Sequence, residues 1–517
     1  MEFFRQFRGG APEPAKRKEG QPWPFKRGLL HCNLLMILDC PPVFDATVNT
    51  AVVVLRNEPE KPGQEFTFIG ASRLDQVLQR LHNIGGETLD LLVQEKLGAL
   101  VEGFEGAEEF AADGRQVLRV VRGGIPVYRA PLSLYHDCVF QGVFEPSPPM
   151  VAFYDKHMRR WVEVVEMEFE VGERERLTLW EMVRTSESAQ EHSGELEVRR
   201  ADLASGDLTI LGAVTEGGVG LQTSDNGRFL AYLEGTPEAK ALLAKNEGLE
   251  PDGTGTYPNS DWGRTGVRRI IRRQQVASAE CLNAEHHRSG IPEPEAHWVP
   301  YQKGDAEGNR WTRINNCYID WSEPTVAWLF DHSGNGAGFP VVRNSQLYFV
   351  RGFCWNHRLT NLVKAQVFES ALPDQKCLVM RSVHDLTDEL AAVALLNSSL
   401  LSYVIRQFFI SPQCYGINDA RLTPWVIPSE DWTGRAVSQV ERAVGVQRER
   451  LAIWTRAELA DEDPEGDPEY RRLGKELEGI EEAIDGLIAE LYGLPVPEDP
   501  VEELVRLAAG EAEGEAA

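Results

Sequence analysis

Asp39, Cys40, Pro41, Pro42 and Val43 stand together in LLMILDCPPVFDATVNTAVVVL, residues 34–55, and a Pro-Pro pair between apolar runs can do one specific job. A polar acceptor just before the pair takes hydrogen bonds from the exocyclic amine of an extruded base, and an aromatic just after it stacks on that base. Here Cys40 precedes the pair and Val43 follows it. Asp39 is one place too far upstream and Phe44 one place too far downstream. The spacing favours a Pro-Pro turn joining two core strands.

A second chemistry needs a glycine-rich turn between a strand and a helix, which lets a nucleotide-type cofactor approach the main chain while an acid on the next strand holds its ribose. DHSGNGAGF, Asp331–Phe339, has that composition. Pro340 follows at once and residues 341–350 read as a strand, so a flexible loop between strands is expected. The chain holds no GxxxxGK[ST], HExxH or GxSxG. PDQK, residues 373–376, resembles the opening of a restriction-nuclease motif, but no carboxylate follows with ExK spacing, and it reads as a turn. No residue is assigned a catalytic role.

Metal chemistry has no better foothold. The eight cysteines lie at 32, 40, 138, 281, 317, 354, 377 and 414 without CxxC spacing, which suits reduced thiols. Cys281 with His286 and His287 has no fourth ligand nearby, so no metal site is expected. There is no run of eighteen apolar residues, and no apolar segment follows the basic N-terminus. The expectation is a soluble, cytoplasmic protein without a membrane partner.

The net charge of −27 is unevenly spread. From Arg456 onward twenty Asp and Glu stand against five Lys and Arg, whereas residues 1–30 hold seven basic side chains against three acidic. RTGVRRIIRR, residues 264–273, carries Arg264, Arg268, Arg269, Arg272 and Arg273. Such a run can neutralise phosphates, which positions nucleic acid without reading it. It could equally be a solvated face paired with surplus carboxylates.

The elements that would position these residues fall into blocks. Residues 1–28 form a basic Pro/Gly-rich arm. Residues 29–114 contain two strands, residues 34–38 and 50–55, then helical spacing at Leu74, Val77, Leu78 and Leu81 and again from Leu89 to Leu100, like the end of an α/β domain. From 115 to 430 the pattern is mixed and mostly β, with strand-like segments at 116–121, 161–169, 208–214, 325–330 and 347–350 and a buried helix over 388–409. Residues 431–495 are helical, with a seam at Leu473, Leu477, Ile480, Ile484, Leu487 and Leu491. An acidic tail, 496–517, ends in a GEAEGEAA stretch expected to be disordered. The fold class expected is α+β.

Taken as a whole, ILDCPPVFDATVNTAVVVLRN resembles the late strands of the catalytic domain in large adenine-specific DNA methyltransferases of restriction-modification and BREX-type phage-exclusion systems. In that family a strand ending in Asp leads through a variable turn to Val-Phe-Asp-Ala-x-Val-x-Thr and a hydrophobic strand. VGLQTSDNGRF, residues 219–229, is similar to the family's GLQTGDN-x-RF element, with Ser224 where the pattern has glycine. WVPYQKG, residues 298–304, with Trp311 and the YIDW of 318–321, resembles its W-x-P-x-x-KG segment and following strand. Tyr348 to Trp355, ALLNS at 394–398 and IEEAIDGLIAELYGL at 480–494 resemble its target-recognition and C-terminal helical parts.

The resemblance covers most of residues 29–495 and implies a remnant of an α/β methyltransferase sheet, a target-recognition domain and C-terminal helices. The family's cofactor loop and catalytic Asn-Pro-Pro-Tyr motif would fall before residue 29, so the chain looks like the C-terminal half of such an enzyme. The complete enzyme would use S-adenosylmethionine; none is expected on this chain. The implied partners are double-stranded DNA and a catalytic methyltransferase polypeptide. The candidate DNA contacts are Arg228, Lys303, Trp311, Asn344, Tyr348, Trp355, Asn356, His357 and Arg358, because Asn and Arg read base edges and aromatics stack or wedge. Two alternatives remain open at this point: a divergent methyltransferase that works unaided, and a non-catalytic module that binds another protein.

Overall fold

The apolar runs near the start do become strands. The computed structural model describes residues 33–39, 51–56, 63–82, 104–135, 144–158, 170–171, 175–176, 205–260, 266–304, 309–357, 363–383, 387–408, 414–421 and 423–515, with a few single positions excepted. In it β1 (Asn33–Asp39) and β2 (Ala51–Arg56) pair antiparallel, from Asn33 opposite Arg56 to Asp39 opposite Ala51. The Pro-Pro turn between them lies outside the described residues, as do the arm 1–28, the Leu89–Leu100 run and the segment 161–169.

Chain contacts divide the molecule into two units. The first takes residues 1–178, 403–414 and 494–517. Its main sheet adds β3 (Glu65–Gly70), β4 (Glu108–Ala112), β5 (Arg115–Arg122) and β6 (Ile125–Pro131), in the order β2-β1-β3-β6-β5-β4. Only β1 and β3 run parallel. Along β5, Val117, Arg119 and Val121 alternate inward, as one face of a half-buried strand must. Val121 packs with Val77 of the helix Leu74–His82 and with Val501, Leu504, Val505 and Ala508. Those last four lie on one stripe of the helix Pro500–Glu515. The acidic tail is therefore helical from Pro500 through Glu515, well into the GEAEGEAA stretch expected to be disordered, and its first turns are docked. Arg119 is buried beside them and donates to Glu503 at 2.8 Å and to Glu108. A small hairpin, β7 (Glu170–Val171) with β8 (Glu175–Arg176), also belongs to this unit.

The second unit takes residues 179–402 and 415–493. One sheet is antiparallel: β10 (Thr215–Val219), β18 (Cys377–Ser382), β15 (Gly352–Asn356) and β16 (Ala365–Phe368), in that order. A five-stranded mixed sheet has the order β12-β11-β14-β13-β17, with β11 at Leu230–Leu233, β12 at Ile270–Ile271, β13 at Trp298–Gln302, β14 at Cys317–Asp320 and β17 at Leu372–Pro373. Its core gathers Leu221, Phe229, Val299, Tyr301, Trp321, Val326, Leu329 and Tyr348. β9 (Leu208–Ile210) pairs with β19 (Pro424–Val426). The fold class is mixed α+β.

Three strand expectations are corrected here. Residues 325–330 are the body of a helix, Glu323–Asp331. Ser322 at the N-cap and Pro324 in the first turn are helix-entry signals, and Val326 and Leu329 share the buried face. Residues 347–350 form a 3-10 turn, Ser345–Leu347, followed by Phe349 at φ +62°. Residues 208–214 are extended only to Ile210, after which Leu211–Val214 turns helical.

The expected helix over 388–409 is two, Glu389–Asn397 and Ser399–Phe408, broken where Ser398 adopts φ −69°, ψ 149°. No single described helix is long and apolar enough to cross a membrane. The long helices Glu430–Ala460 and Pro468–Tyr492 run antiparallel, because Trp432 near the start of one donates to the Leu487 carbonyl near the end of the other, at 2.9 Å. Their seam buries Leu473, Leu477, Ile480 and Ile484 and then Ile488 and Tyr492, leaving Leu487 and Leu491 half-buried. A straight helix of 3.6 residues per turn drifts off a 3.5 repeat by ~20° per heptad, and after the two heptads from Leu473 the stripe has passed to the next residue.

Candidate nucleic-acid interface

The GLQTSDNGRF segment leaves β10 as a tightly bonded loop. Leu221 N–H donates to the Pro373 carbonyl at 2.8 Å, and Gln222 exchanges both main-chain hydrogen bonds with Val341, at 3.0 and 2.9 Å. Gly220 makes this possible: a Cβ there would stand 1.8 Å from the Pro373 carbonyl oxygen. Thr223 Oγ1 donates to Asn226 Oδ1 at 2.6 Å, and the Asp225 carboxylate accepts the Arg228 N–H at 3.1 Å, capping the turn Asn226–Phe229. Ser224 sits at φ +57°, in the left-handed region that glycine enters freely and serine does not. Its Oγ donates to the Phe339 carbonyl at 2.7 Å, a bond glycine cannot make.

That last contact joins the loop to Asp331–Phe339. The glycine-rich stretch follows the helix Glu323–Asp331 rather than a strand, and Val341 beyond it forms a bridge to Gln222 in place of a strand. No helix starts from the turn, so it does not fit the cradle that S-adenosylmethionine requires. Gly334, Gly336 and Gly338 all take positive φ, at 77°, 119° and 86°, and the loop delivers Phe339 to the surface, 38% exposed.

A stack of rings results. The exposed Arg228 guanidinium lies 3.8 Å from the centre of the Trp328 ring and 4.9 Å from that of Phe229. Trp328 stacks on His332 at 4.3 Å and 15°, and His332 on Phe339 at 6.1 Å and 16°. Trp328 and His332 meet because they are one helical turn apart. His332 Nδ1 is 2.9 Å from the Trp328 carbonyl oxygen; that oxygen can only accept, so Nδ1 carries the proton. One end of the stack is a cation and the other a solvent-facing aromatic ring, a surface suited to phosphate at one end and to a base or an unstacked step at the other.

The basic run is tied to this loop. Arg269 donates through Nη1 to the Arg228 carbonyl at 3.0 Å and through Nε to Thr256 Oγ1 at 2.9 Å. Arg268 is half-buried, while Arg272 and Arg273 follow β12 and are exposed. Arg264 and Arg358 lie outside the described residues.

The other candidates separate from the stack. Trp311, Tyr348 and Trp355 are core residues with at most 1% exposure, which closes them to direct base contact in this conformation. Trp311 Nε1 donates to Glu481 at 2.9 Å, the Tyr348 hydroxyl to the Arg343 carbonyl at 2.9 Å, and Trp355 Nε1 to the Tyr415 carbonyl at 3.0 Å. Burial also raises the Tyr348 phenol above its ordinary pKa, keeping it neutral. Asn344 spends its amide on the Val219 carbonyl at 2.8 Å, holding β10 where Gly218 leaves room for it. Lys303, Asn356 and His357 are half-buried, the first two beside a common cleft. His357 has its main-chain groups bonded to Lys376 and Tyr415.

Tyr301, from the WVPYQKG segment, places its hydroxyl 2.7 Å from the Leu221 carbonyl oxygen and 3.1 Å from Asp374 Oδ2. Burial raises the Asp374 carboxyl above its ordinary pKa, and the Lys376 N–H, donating to it at 2.7 Å, works the other way. The PDQK turn thus fastens one motif to another. Trp328, His332 and Phe339 are not among the candidates; the i,i+4 spacing of Trp328 and His332 is the available signal, and it is hidden when residues 325–330 are read as a strand.

No family model matches the chain, and no curated protein does. Among solved structures it is distantly similar, over part of its length, to the Type IIL restriction-modification enzyme MmeI in complex with DNA: TM-score 0.31, 12% identity, covering 59% of this chain and 36% of that one. The chain thus spans about a third of that enzyme's length.

Proposed function

We propose that this chain provides DNA target recognition for an adenine-specific, S-adenosylmethionine-dependent DNA methyltransferase of a restriction-modification or phage-exclusion system, with the cofactor and catalytic residues supplied by another polypeptide. The order of the motif groups along residues 29–495 supports the family assignment. The observation that carries DNA binding is the open stack at the GLQTSDNGRF loop, where Arg228 sits 3.8 Å over Trp328 and the series ends in exposed Phe339. Arg269 anchors the basic run to the same loop. Arg228 and the exposed arginines would neutralise phosphates along the duplex, and Phe339 would meet bases.

Binding of the full chain to labelled duplex DNA across a salt titration, with and without S-adenosylmethionine, tests the reading. The expected result is affinity that falls steeply with salt and is indifferent to the cofactor. Absence of binding at low salt contradicts DNA recognition. Cofactor-dependent binding contradicts the separation of recognition from catalysis.

A further inference from the structure

The glycine-rich stretch expected to be a flexible loop is held at both ends. Gly334 N–H donates to the Pro340 carbonyl at 2.9 Å and Phe339 N–H to the Gly336 carbonyl at 3.3 Å, which closes the loop on itself. Ser333 Oγ accepts the Val342 N–H at 2.9 Å. Ser224 Oγ ties down the Phe339 carbonyl from the neighbouring loop, and Val341, two residues further on, is bonded both ways to Gln222. Phe339 therefore stands on a fixed stalk and not on a free tether.

The ring is backed as firmly as the main chain. Phe339 stacks on His332 and His332 on Trp328. The His332 imidazole is fixed by its bond to the Trp328 carbonyl. Trp328 in turn lies 5.4 Å, centre to centre, from Phe229, which is 3% exposed in the core of the second unit. A push on Phe339 along the series is passed to that core, where close packing resists it.

Around the ring the loop is slender. Residues 334–338 are Gly, Asn, Gly, Ala and Gly, all exposed. A Cβ placed on any of the three glycines would meet nothing within 4 Å, so the main chain here runs through open space. Such a loop can follow its one aromatic into a groove, where bulkier neighbours would strike the sugar-phosphate walls. A site that receives an extruded base needs the reverse, enclosing walls and polar groups for the edge of the base. Phe339 projects from the surface, 38% exposed, and is shaped to enter a stack of bases instead of holding one taken out of it.

We propose that Phe339 is a wedge that enters the bound duplex between two adjacent base pairs, unstacks that step and bends the DNA there. The proposal rests on the DNA reading above and adds what the site does to the duplex. Arg228, at the other end of the ring series, then lies against the backbone beside the bend. The cost of opening a step depends on its sequence, and pyrimidine–purine steps open most readily. The wedge thus gives a sequence preference without a hydrogen bond to any base edge.

The test uses the full chain as wild type, as Phe339→Ala and as Phe339→Trp, each checked for an unchanged circular dichroism spectrum and melting temperature. Duplexes are first selected from a randomised pool by wild type at low salt. The selected duplex, labelled with a dye at each end, then reports bending by energy transfer. Wild type should bend it by about 20–90°, and the selected sequences should share a TA, CA or TG step. Phe339→Ala should bind about tenfold more weakly, lose the bend and lose the preference for that step. Phe339→Trp should keep all three. A wild-type complex with straight DNA, or a bend that survives undiminished in Phe339→Ala, would overturn the wedge and leave DNA recognition standing. If wild type enriches no duplex, the functional reading falls and the wedge falls with it.

Discussion

Arg310 with Trp311 and Arg228 with Trp328 are the same pair of residue types in two settings. At the first, the indole donates to Glu481 at 2.9 Å and the Arg310 guanidinium lies 3.0 Å from the same carboxylate oxygen. The cation has its anion, the ring is fully buried, and both fasten the β region to the helix Pro468–Tyr492. At the second, no carboxylate pairs with the Arg228 guanidinium among the described residues. The guanidinium lies on the indole, and the ring series continues to an exposed phenylalanine. An arginine on a tryptophan is therefore no sign of nucleic-acid contact in itself. What distinguishes the two is whether the cation already has its anion.

The largest effect should come from the closed site. Trp311→Ala removes a fully buried ring and is expected to cost about 4 kcal/mol, read as a lower urea midpoint; an unchanged midpoint would mean that Trp311 is not core. Next, Glu481→Gln should cost about 2 kcal/mol by weakening two charge-assisted bonds at once, while DNA affinity stays unchanged once the unfolded fraction is allowed for. Arg228→Gln should do the opposite. Stability should move by less than about 0.5 kcal/mol, and duplex affinity should fall roughly tenfold, about 1.4 kcal/mol.

Ser224 gives a smaller and ordered pair of effects. Ser224→Ala keeps the left-handed strain and loses the bond to Phe339, so it should destabilise by about 1 kcal/mol. Ser224→Gly loses the bond but relieves the strain and should lie closer to wild type. Thermal melts that place Ala above Gly would refute the account of this loop. The smallest effect concerns pH. Because burial lifts the Asp374 pKa above its ordinary 3.8, the folded chain keeps a proton that the unfolded chain has released. Stability contributed by this group falls as pH rises past 3.8 towards the folded-state value, then levels off. Asp374→Asn should flatten that part of the stability–pH curve, and an unaltered slope would show that the carboxyl is not buried in solution.

Local signals carried much of the fold. The strands at residues 34–38 and 50–55, β5 and the C-terminal seam followed from apolar spacing. The helix Glu323–Asp331 is hard to read locally because its apolar run outweighs the Ser322-Glu323-Pro324 entry signal. The break at Ser398 is tertiary in origin: Asn397 exchanges two hydrogen bonds with the main chain of Ala365, at 2.7 and 2.9 Å, and Ser399 caps onto Asp485. The resemblance motifs prove to be joints of the second unit, as Tyr301 meets Leu221 and Trp355 meets Tyr415. That explains why several of their aromatics are core. The ring stack depends on Ser224 reaching Phe339, 115 residues away, and no local pattern encodes such a pairing.

The most direct test of the central claim sets Arg228→Gln beside wild type in duplex binding at fixed salt, with unfolding measured on the same samples. The account predicts roughly tenfold weaker binding at unchanged stability. Wild-type affinity in the variant would contradict the assignment of the open stack to DNA.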